Sequence, residues 1–497
     1  MAETSGVYLG LDIGTTGVKA AVFSAAGELL GAGLAEYTLE TPRPDIVELE
    51  AEVYWQSSCA AVDAALKASG ADAARVRSVG VTGQAETLIF TDENGVPVRK
   101  AVVWLDNRAK EEAKAVEARF GAEALFRLSG QTEMLPCWPA AKILWLRNHE
   151  PEVFRRVGKF LMVEDYIFFK LTGRFATCRG LMPSSLYYDI RTGEYDRAML
   201  DHLCIGTERL PELLDSGEAV GFCTGAESPL PGSCVAVAAP LDHICGNLGC
   251  GCVRPGMISE TTGCTIALCA NFPSAVYDEE RRISTYHGFL PGSFALLPWA
   301  PTAGMLLKHL RDEFSPGTSY RDFDELAAKV PPGSEGLLIL PHCAGAVSPV
   351  CNPNARGVAY GVTLAHKRGH WARAIMESVA FLLRDNIDVL RALGAGVSEV
   401  RPLGGAANSG LWLKIKADVL DLPLVLTGCT TEATSLGAAI LGAVGRGDFS
   451  HPAEAAERMV KIVRTVEPGA DRGVYAECFK RYQHLDRLLM PTFGGKL

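Results

Sequence analysis

Positive charge is in short supply in this chain: 48 lysines and arginines face 58 aspartates and glutamates, for a formal net charge of −10 at pH 7. Nucleic-acid grooves and anionic membrane surfaces both ask for a basic excess, so neither is expected as a partner, and an anionic ligand would need a local device. No apolar run reaches the length that spans a bilayer. Met1 to Gly6 carry neither the basic nor the apolar region of a secretory signal, and a cytoplasmic location is expected. A Walker lysine loop is also missing, which removes the P-loop nucleotidases.

What is present is ordinary globular material: 497 residues, 48% hydrophobic and 21% charged. A chain of this length exceeds the size at which one core keeps growing, so two domains are expected. Fifteen cysteines are scattered through apolar stretches such as "ALCANF" and "LDHICGNLGCGC", the pattern of reduced, buried thiols. Cys245, Cys250 and Cys252 with His243 match no common zinc spacing.

Hydrophobic periodicity outlines an α/β chain. Val7, Leu9 and Leu11 alternate, Ala20 and Val22 continue, and "GELLGAGLAEY" follows, which predicts a β-meander. "AEVYWQSSCAAVDAALKAS" has a helical period, "VRSVGVTG" reads as a buried strand, and "NRAKEEAKAVEARF" as a charged surface helix. A further helix runs from Trp371 through Ile375, Val379, Leu382, Leu383 and Ile387 to Leu390 with one apolar face. "EATSLGAAILGAVG", residues 432–445, is a helix of small residues suited to close packing. The glycines of "GCGCVRPG", residues 249–256, suit a hinge.

The segment "LDIGTTGVKAAVF", residues 11–23, carries the first chemistry. Glycines let a turn approach a ligand closely, successive amides in such a turn form an anion nest, and the hydroxyls of Thr15 and Thr16 add donors. Asp12 at the strand end is placed to hold Mg²⁺, and Lys19 supplies a fixed positive charge. "GMISETTGCTIALCA", residues 256–270, repeats the layout. Two similar hairpins predict two related domains on one cleft, divided as residues 1–250 and 251–497.

Other segments fall in a consistent order: "PRPDIVELE", "WLDNR", "CWPAAKILWLRN" (137–148), "PLDHICGNLGCGCVRPG", "GVAYGVTLAHKRGHWARAIMESVAF" (357–381) and "PLGGAANSGLWLKIKADVLDLPL". Together with the first hairpin they resemble the FGGY carbohydrate kinases, closest in style to xylulokinases, from Val7 to about Gly445. The resemblance implies two ribonuclease-H-like domains of the actin, sugar-kinase and Hsp70 superfamily, each a mixed sheet flanked by helices. The activity it implies is ATP-dependent phosphorylation of a sugar or polyol hydroxyl, with room for a homodimer.

By the same resemblance Asp12, Thr15, Thr16 and Lys19 lie on the phosphate and Mg²⁺ side, and Thr261, Thr262 and Gly263 form the opposing hairpin. Gly404, Gly405 and Asn408 of "LGGAANS" correspond to the adenosine segment. Asp242 matches the catalytic base and a second Mg²⁺ carboxylate. "VTGQAETLIF" stands where xylulokinases show Gln-Met-His and glycerol kinases Gln-Arg-Glu, so Gln84 and Glu86 are acceptor-binding candidates. Asp106, Trp138 and His243 are expected to line that pocket. Lys142 and Trp145 sit in the segment 137–148, where Lys142 is expected on a solvated helix edge, and Asp242 doubles as a candidate helix cap. Two rival readings, an ATPase driving conformational work and a non-catalytic sugar sensor, are opposed by the acceptor segment and by the intact Asp242 respectively.

Overall fold

The meander forms where the alternation predicts it. Val7–Ile13, Gly17–Ser24 and Leu29–Glu36 are consecutive antiparallel strands in the computed structural model, which describes residues 6–494. Residues 1–5, part of the stretch searched for a secretory signal, lie outside the described residues. The sheet continues on the other side of Val7–Ile13 with Val76–Gly83, Val235–Ala238 and Ala219–Phe222. The three strands 7–13, 76–83 and 235–238 run parallel. Val7–Ile13 is buried on both faces, as a central strand covered by helices must be. Helix Ala51–Ser69 packs on the strand 29–36, where a Cβ at Gly31 or Gly33 would collide with the helix backbone.

By contacts the chain forms two compact units. The first takes the chain up to Val253, Phe272–Ala295 and Glu432–Lys461, and the second takes Arg254–Asn271, Leu296–Thr431 and the chain from Ile462. Where the sequence predicts one division at residue 250, two later segments therefore join the first unit. The reason for the second is local. Helix Ala433–Gly445 lies on the strands 7–13 and 76–83 and against helix Asp242–Gly249 at backbone distance. A Cβ at Gly10 would overlap the Ser435 carbonyl, one at Gly80 the Ala438 carbonyl, and one at Gly437 the Cys245 carbonyl.

The second unit repeats the design. Its sheet contains, in order, Ile266–Phe272, Met257–Thr262, Glu399–Leu403, Leu424–Thr427 and Ile462–Val466. The strands 257–262, 399–403 and 424–427 are parallel, flanked by antiparallel neighbours. Helix Arg368–Ala392 buries Ile375, Val379, Leu382, Leu383, Ile387 and Leu390 as its periodicity predicts. It also buries Arg373 and Glu377, paired at 2.9 Å and bonded to Tyr475. No helix of the described residues is long and apolar enough to cross a membrane.

The backbone contacts make a sharp contrast between glycines. Gly437→Ala is expected to destabilise by about 1–3 kcal/mol or more through overpacking. Gly473→Ala, in a helix where an added Cβ meets nothing within 4 Å, is expected to be neutral or stabilising by up to about 1 kcal/mol. Thermal unfolding of the two variants beside the unaltered protein measures the difference.

Candidate active site

The parallel strands 7–13, 76–83 and 235–238 end side by side. Asp12 pairs with Thr82, and Val81 pairs with Ala238, four residues before Asp242. Thr82 Oγ1 donates to the Pro240 carbonyl at 2.6 Å, and Gln84 N donates to the Ile13 carbonyl at 2.9 Å, tying the three strand ends together. The carboxyl-terminal edge of such a sheet is where α/β folds bind ligands. Asp12, Gln84, Glu86, Asp242 and His243 are all delivered to this edge.

Asp12 is the unsatisfied carboxylate among them. Its Oδ1 is buried without a hydrogen-bond partner. Burial pushes its carboxyl up to about 7, the charge of Asp242 adds to the rise, and Lys19, its cross-strand neighbour, opposes it. A buried, unpartnered acceptor beside a second carboxylate is a fit for a cation. Among the described residues no group of three His, Cys, Asp or Glu side chains forms a closed metal cage. Mg²⁺ does not require one, since it commonly uses one or two carboxylates with phosphate oxygens and water.

The Gly14–Gly17 turn is braced from outside. Gly14 N donates to the Gly17 carbonyl at 3.0 Å, Tyr37 N to the Thr16 carbonyl at 3.0 Å, and the Tyr37 hydroxyl to the Gly14 carbonyl. Thr16 is exposed. Thr15 Oγ1 accepts from Trp104 Nε1 at 2.9 Å, so the tryptophan of "WLDNR" orients the 14–17 turn.

Asp242 is the first residue of helix Asp242–Gly249, one position past the cap, which is Leu241. Its side chain accepts from His243 N at 2.6 Å and is 31% exposed. The expected capping bond is replaced by this contact at the helix start, because the Pro-Leu turn enters the helix one residue early. A carboxylate there is favoured by the helix dipole and stays accessible.

Glu86 adopts a left-handed backbone, φ 65°. Its carboxyl is pushed up to about 7, chiefly by burial, with the Ser184 hydroxyl and Lys142 opposing and Asp242 reinforcing. The Gln84 amide is buried with neither its oxygen nor its nitrogen bonded. Trp138, half-buried, donates Nε1 to the Glu133 carbonyl at 2.9 Å.

Several expectations are corrected here. Asp106 does not face a pocket: it is fully buried and accepts from Val47 N at 2.7 Å and from Arg108 Nη2 at 2.7 Å. A chelating arginine two residues along has consumed its carboxylate. Lys142 is not on a solvated edge but 1% exposed, donating to backbone carbonyls beneath the site. Three residues escaped the sequence altogether. Ser184 and Tyr286 are buried within the electrostatic reach of Glu86. Glu164 is fully buried with both carboxylate oxygens unpartnered, close under Gly83. These three sit in segments without a motif, and only the strand-then-acid pattern of "FLMVED" could have flagged Glu164.

In the second unit the predicted hairpin splits by face. Thr262 is buried, and its hydroxyl bonds the Glu260 carboxylate and, at 2.9 Å, Lys416 Nζ. Lys416 and Glu260 form an ion pair at 2.9 Å with both side chains 1% exposed. The Thr262 hydroxyl is therefore structural, a correction that follows from strand alternation putting it on the Glu260 face. Thr261 and Gly263 remain at least partly exposed. Gly404, φ 78°, follows the strand 399–403, and Gly405 and Asn408 are exposed in the turn Gly405–Asn408. Ser409 then caps helix Gly410–Leu420 through Trp412 N at 3.0 Å.

The chain is similar to known proteins along most of its length. The N-terminal domain model of the FGGY family of carbohydrate kinases matches residues 7–249, and the C-terminal domain model matches residues 261–446. A glycerol kinase of Geobacter sp. (strain M21) is 32% identical, covering 97% of this chain and 98% of its own. A xylulose kinase of Bacillus subtilis (strain 168) is 27% identical, covering 96% of each. The crystal structure of xylulose kinase from Rhodospirillum rubrum superimposes with a TM-score of 0.89 at 26% identity over 98% of this chain and 100% of that one. With both domain models matched in order along the chain, the first of them spanning Asp12 and Asp242, the chain belongs to the FGGY family of carbohydrate kinases.

Proposed function

We propose that the protein transfers the γ-phosphoryl group of ATP to a hydroxyl of a sugar or polyol, with Asp242 as general base. The observation that carries this is the pair of carboxylates at the ends of the two strands that flank strand 76–83, one accessible and one with a buried, unpartnered oxygen. Asp242 takes the proton of the acceptor hydroxyl as its oxygen bonds to the γ-phosphorus, the bond to the β,γ-bridging oxygen breaks, and ADP leaves. Thr16, Lys19 and the 14–17 turn receive phosphate oxygens. Gly405 and Asn408, with Gly404 shaping their turn, receive the adenosine, and Thr261 and Gly263 supply the polar edge of the second hairpin. Asp12, with Asp242, would hold Mg²⁺, directly or through water, and the ion supplies neutralisation of phosphate charge.

Gln84 and Glu86 read the acceptor hydroxyls. Relatives named for xylulose and for glycerol support two acceptor classes, a ketose and a short polyol. Glu86 favours the second reading, because it keeps the acid that glycerol kinases show at that point of the motif. A coupled ADP-release screen over ketoses, aldoses and polyols distinguishes them, and absence of turnover with every acceptor would overturn the kinase reading.

Asp242→Asn keeps an acceptor for His243 N, so the variant should fold and bind Mg·ATP while kcat falls by about 10²–10⁴-fold; steady-state kinetics beside calorimetry checks it. Asp12→Asn gives the opposite signature. A carboxylate whose folded pKa is raised costs stability as pH rises from the unfolded value towards about 7, and the cost is complete above that. Removing the charge should leave the ligand-free melting temperature unchanged or higher at pH 8, while the upward shift given by Mg·ATP shrinks. Glu86→Gln should raise the acceptor KM and leave the ATP KM nearly constant.

A further inference from the structure

Among the described residues Lys142 has no carboxylate partner at hydrogen-bond distance. It stands on helix Pro139–His149, is 1% exposed, and spends its ammonium on main-chain carbonyls: Glu86 at 2.8 Å, Val103 at 2.9 Å and Val102 at 3.3 Å. Three donors meet three acceptors, so the group is saturated and offers nothing to a ligand. Burial alone would expel such a charge, and it pushes the Lys142 pKa down to about 8, with Cys137, Asp106 and Glu86 opposing and Arg108 reinforcing the fall. A hydrophobic side chain of similar length would fill the space without that cost. The carbonyls are what the charge serves.

One of them belongs to the residue with the strained backbone. A left-handed conformation is costly for a branched-free but bulky acid such as Glu86, about 1 kcal/mol or more, and persists only where the surroundings over-determine it. The other two carbonyls, of Val102 and Val103, end the short strand Ala101–Val102, which pairs with Leu88–Thr91 just beyond Glu86. Lys142 thus ties the middle of the turn 83–88, and the strand paired with its far end at Leu88, to one helix.

We propose that Lys142 is a positioning residue for the acceptor: by gripping the Glu86, Val102 and Val103 carbonyls it holds Glu86 in its left-handed turn, with the carboxylate kept beside Ser184. This rests on the reading of Glu86 as an acceptor-binding group. The side chain that the helix pattern suggests is a solvated edge is on this account the foundation of the specificity turn.

Lys142→Gln, which shortens the side chain and leaves an amide's two donors, and Lys142→Arg, which keeps the charge, are compared in the full-length protein. Lys142→Gln should raise the acceptor KM about tenfold or more, while the ATP KM stays within about twofold. Lys142→Arg should recover part of the loss. The double variant with Glu86→Gln should be no worse than Glu86→Gln alone, because both remove the same contact. Hydrogen exchange without any substrate should rise in peptides covering 83–88 and 101–104 and stay unchanged across the rest of helix 139–149; this readout does not depend on activity. A merely structural lysine would lower the melting temperature and raise exchange throughout the helix at constant acceptor KM, and that result overturns the proposal. Independent, multiplying effects of Lys142→Gln and Glu86→Gln overturn it as well. An unchanged acceptor KM in Glu86→Gln alone removes the acceptor reading on which the role rests, whatever the exchange data give.

Discussion

Everything at the strand ends depends on one seam in which backbone meets backbone. Helix 433–445 touches the strands 7–13 and 76–83 and helix 242–249 where Gly10, Gly80, Gly249 and Gly437 leave no room for a side chain. Those strands and that helix are the supports of Asp12, of the turn carrying Gln84 and Glu86, and of Asp242. Small residues here do not only save space. They set the spacing of the groups that carry the chemistry, because a helix held off by one methyl layer would shift helix 242–249 against the sheet edge. Close packing transmits such a displacement rather than absorbing it.

On this frame the protein collects negative charge and gives it few answers. Asp12, Glu86 and Glu164 are each pushed upward chiefly by burial, and the charge of Asp242 contributes to every one of these shifts. The nearby lysines are used differently. Lys19 faces Asp12 across a strand pair and moderates it. Lys142 is occupied by carbonyls. A site so built is poised for a cation and for hydroxyl donors, which is what a phosphoryl transfer to an uncharged acceptor brings. The net acidity of the whole chain, which argues against anionic polymers, is locally reproduced around Asp12, Glu86 and Glu164.

Much of this was legible beforehand because it is local. The meander, the helices at 51–69 and 368–392 and the small-residue helix follow from periodicity, and the strand-end carboxylates follow from motifs whose meaning is contained in ten residues. Asp106 and Lys142 were misjudged for a shared reason: what decides their role is a partner chosen by the fold. The arginine that consumes Asp106 could have been suspected, standing two residues away, but the carbonyls that bury Lys142 lie 39 to 56 residues distant. A polar residue on a helix reads as solvated until its tertiary acceptors are known. The same applies to Arg373 and Glu377, whose buried pairing interrupts an otherwise apolar face.

The two Thr-Thr-Gly hairpins show how far identical letters can diverge. In the first, both threonines fall in the turn after the strand ends at Ile13, so their hydroxyls are free of strand alternation and one is oriented by Trp104. In the second, the strand continues through Thr262, and alternation commits that hydroxyl to the interior. There it completes a buried Glu260–Lys416 pair, the kind of charge pair that is costly to bury and costlier to break. Lys416 lies on helix 410–420, which begins directly after the exposed Gly405–Asn408 turn. The pair therefore joins the second hairpin to the helix that follows the candidate adenosine turn, and fixes these two elements of the unit to each other through the Thr262 hydroxyl.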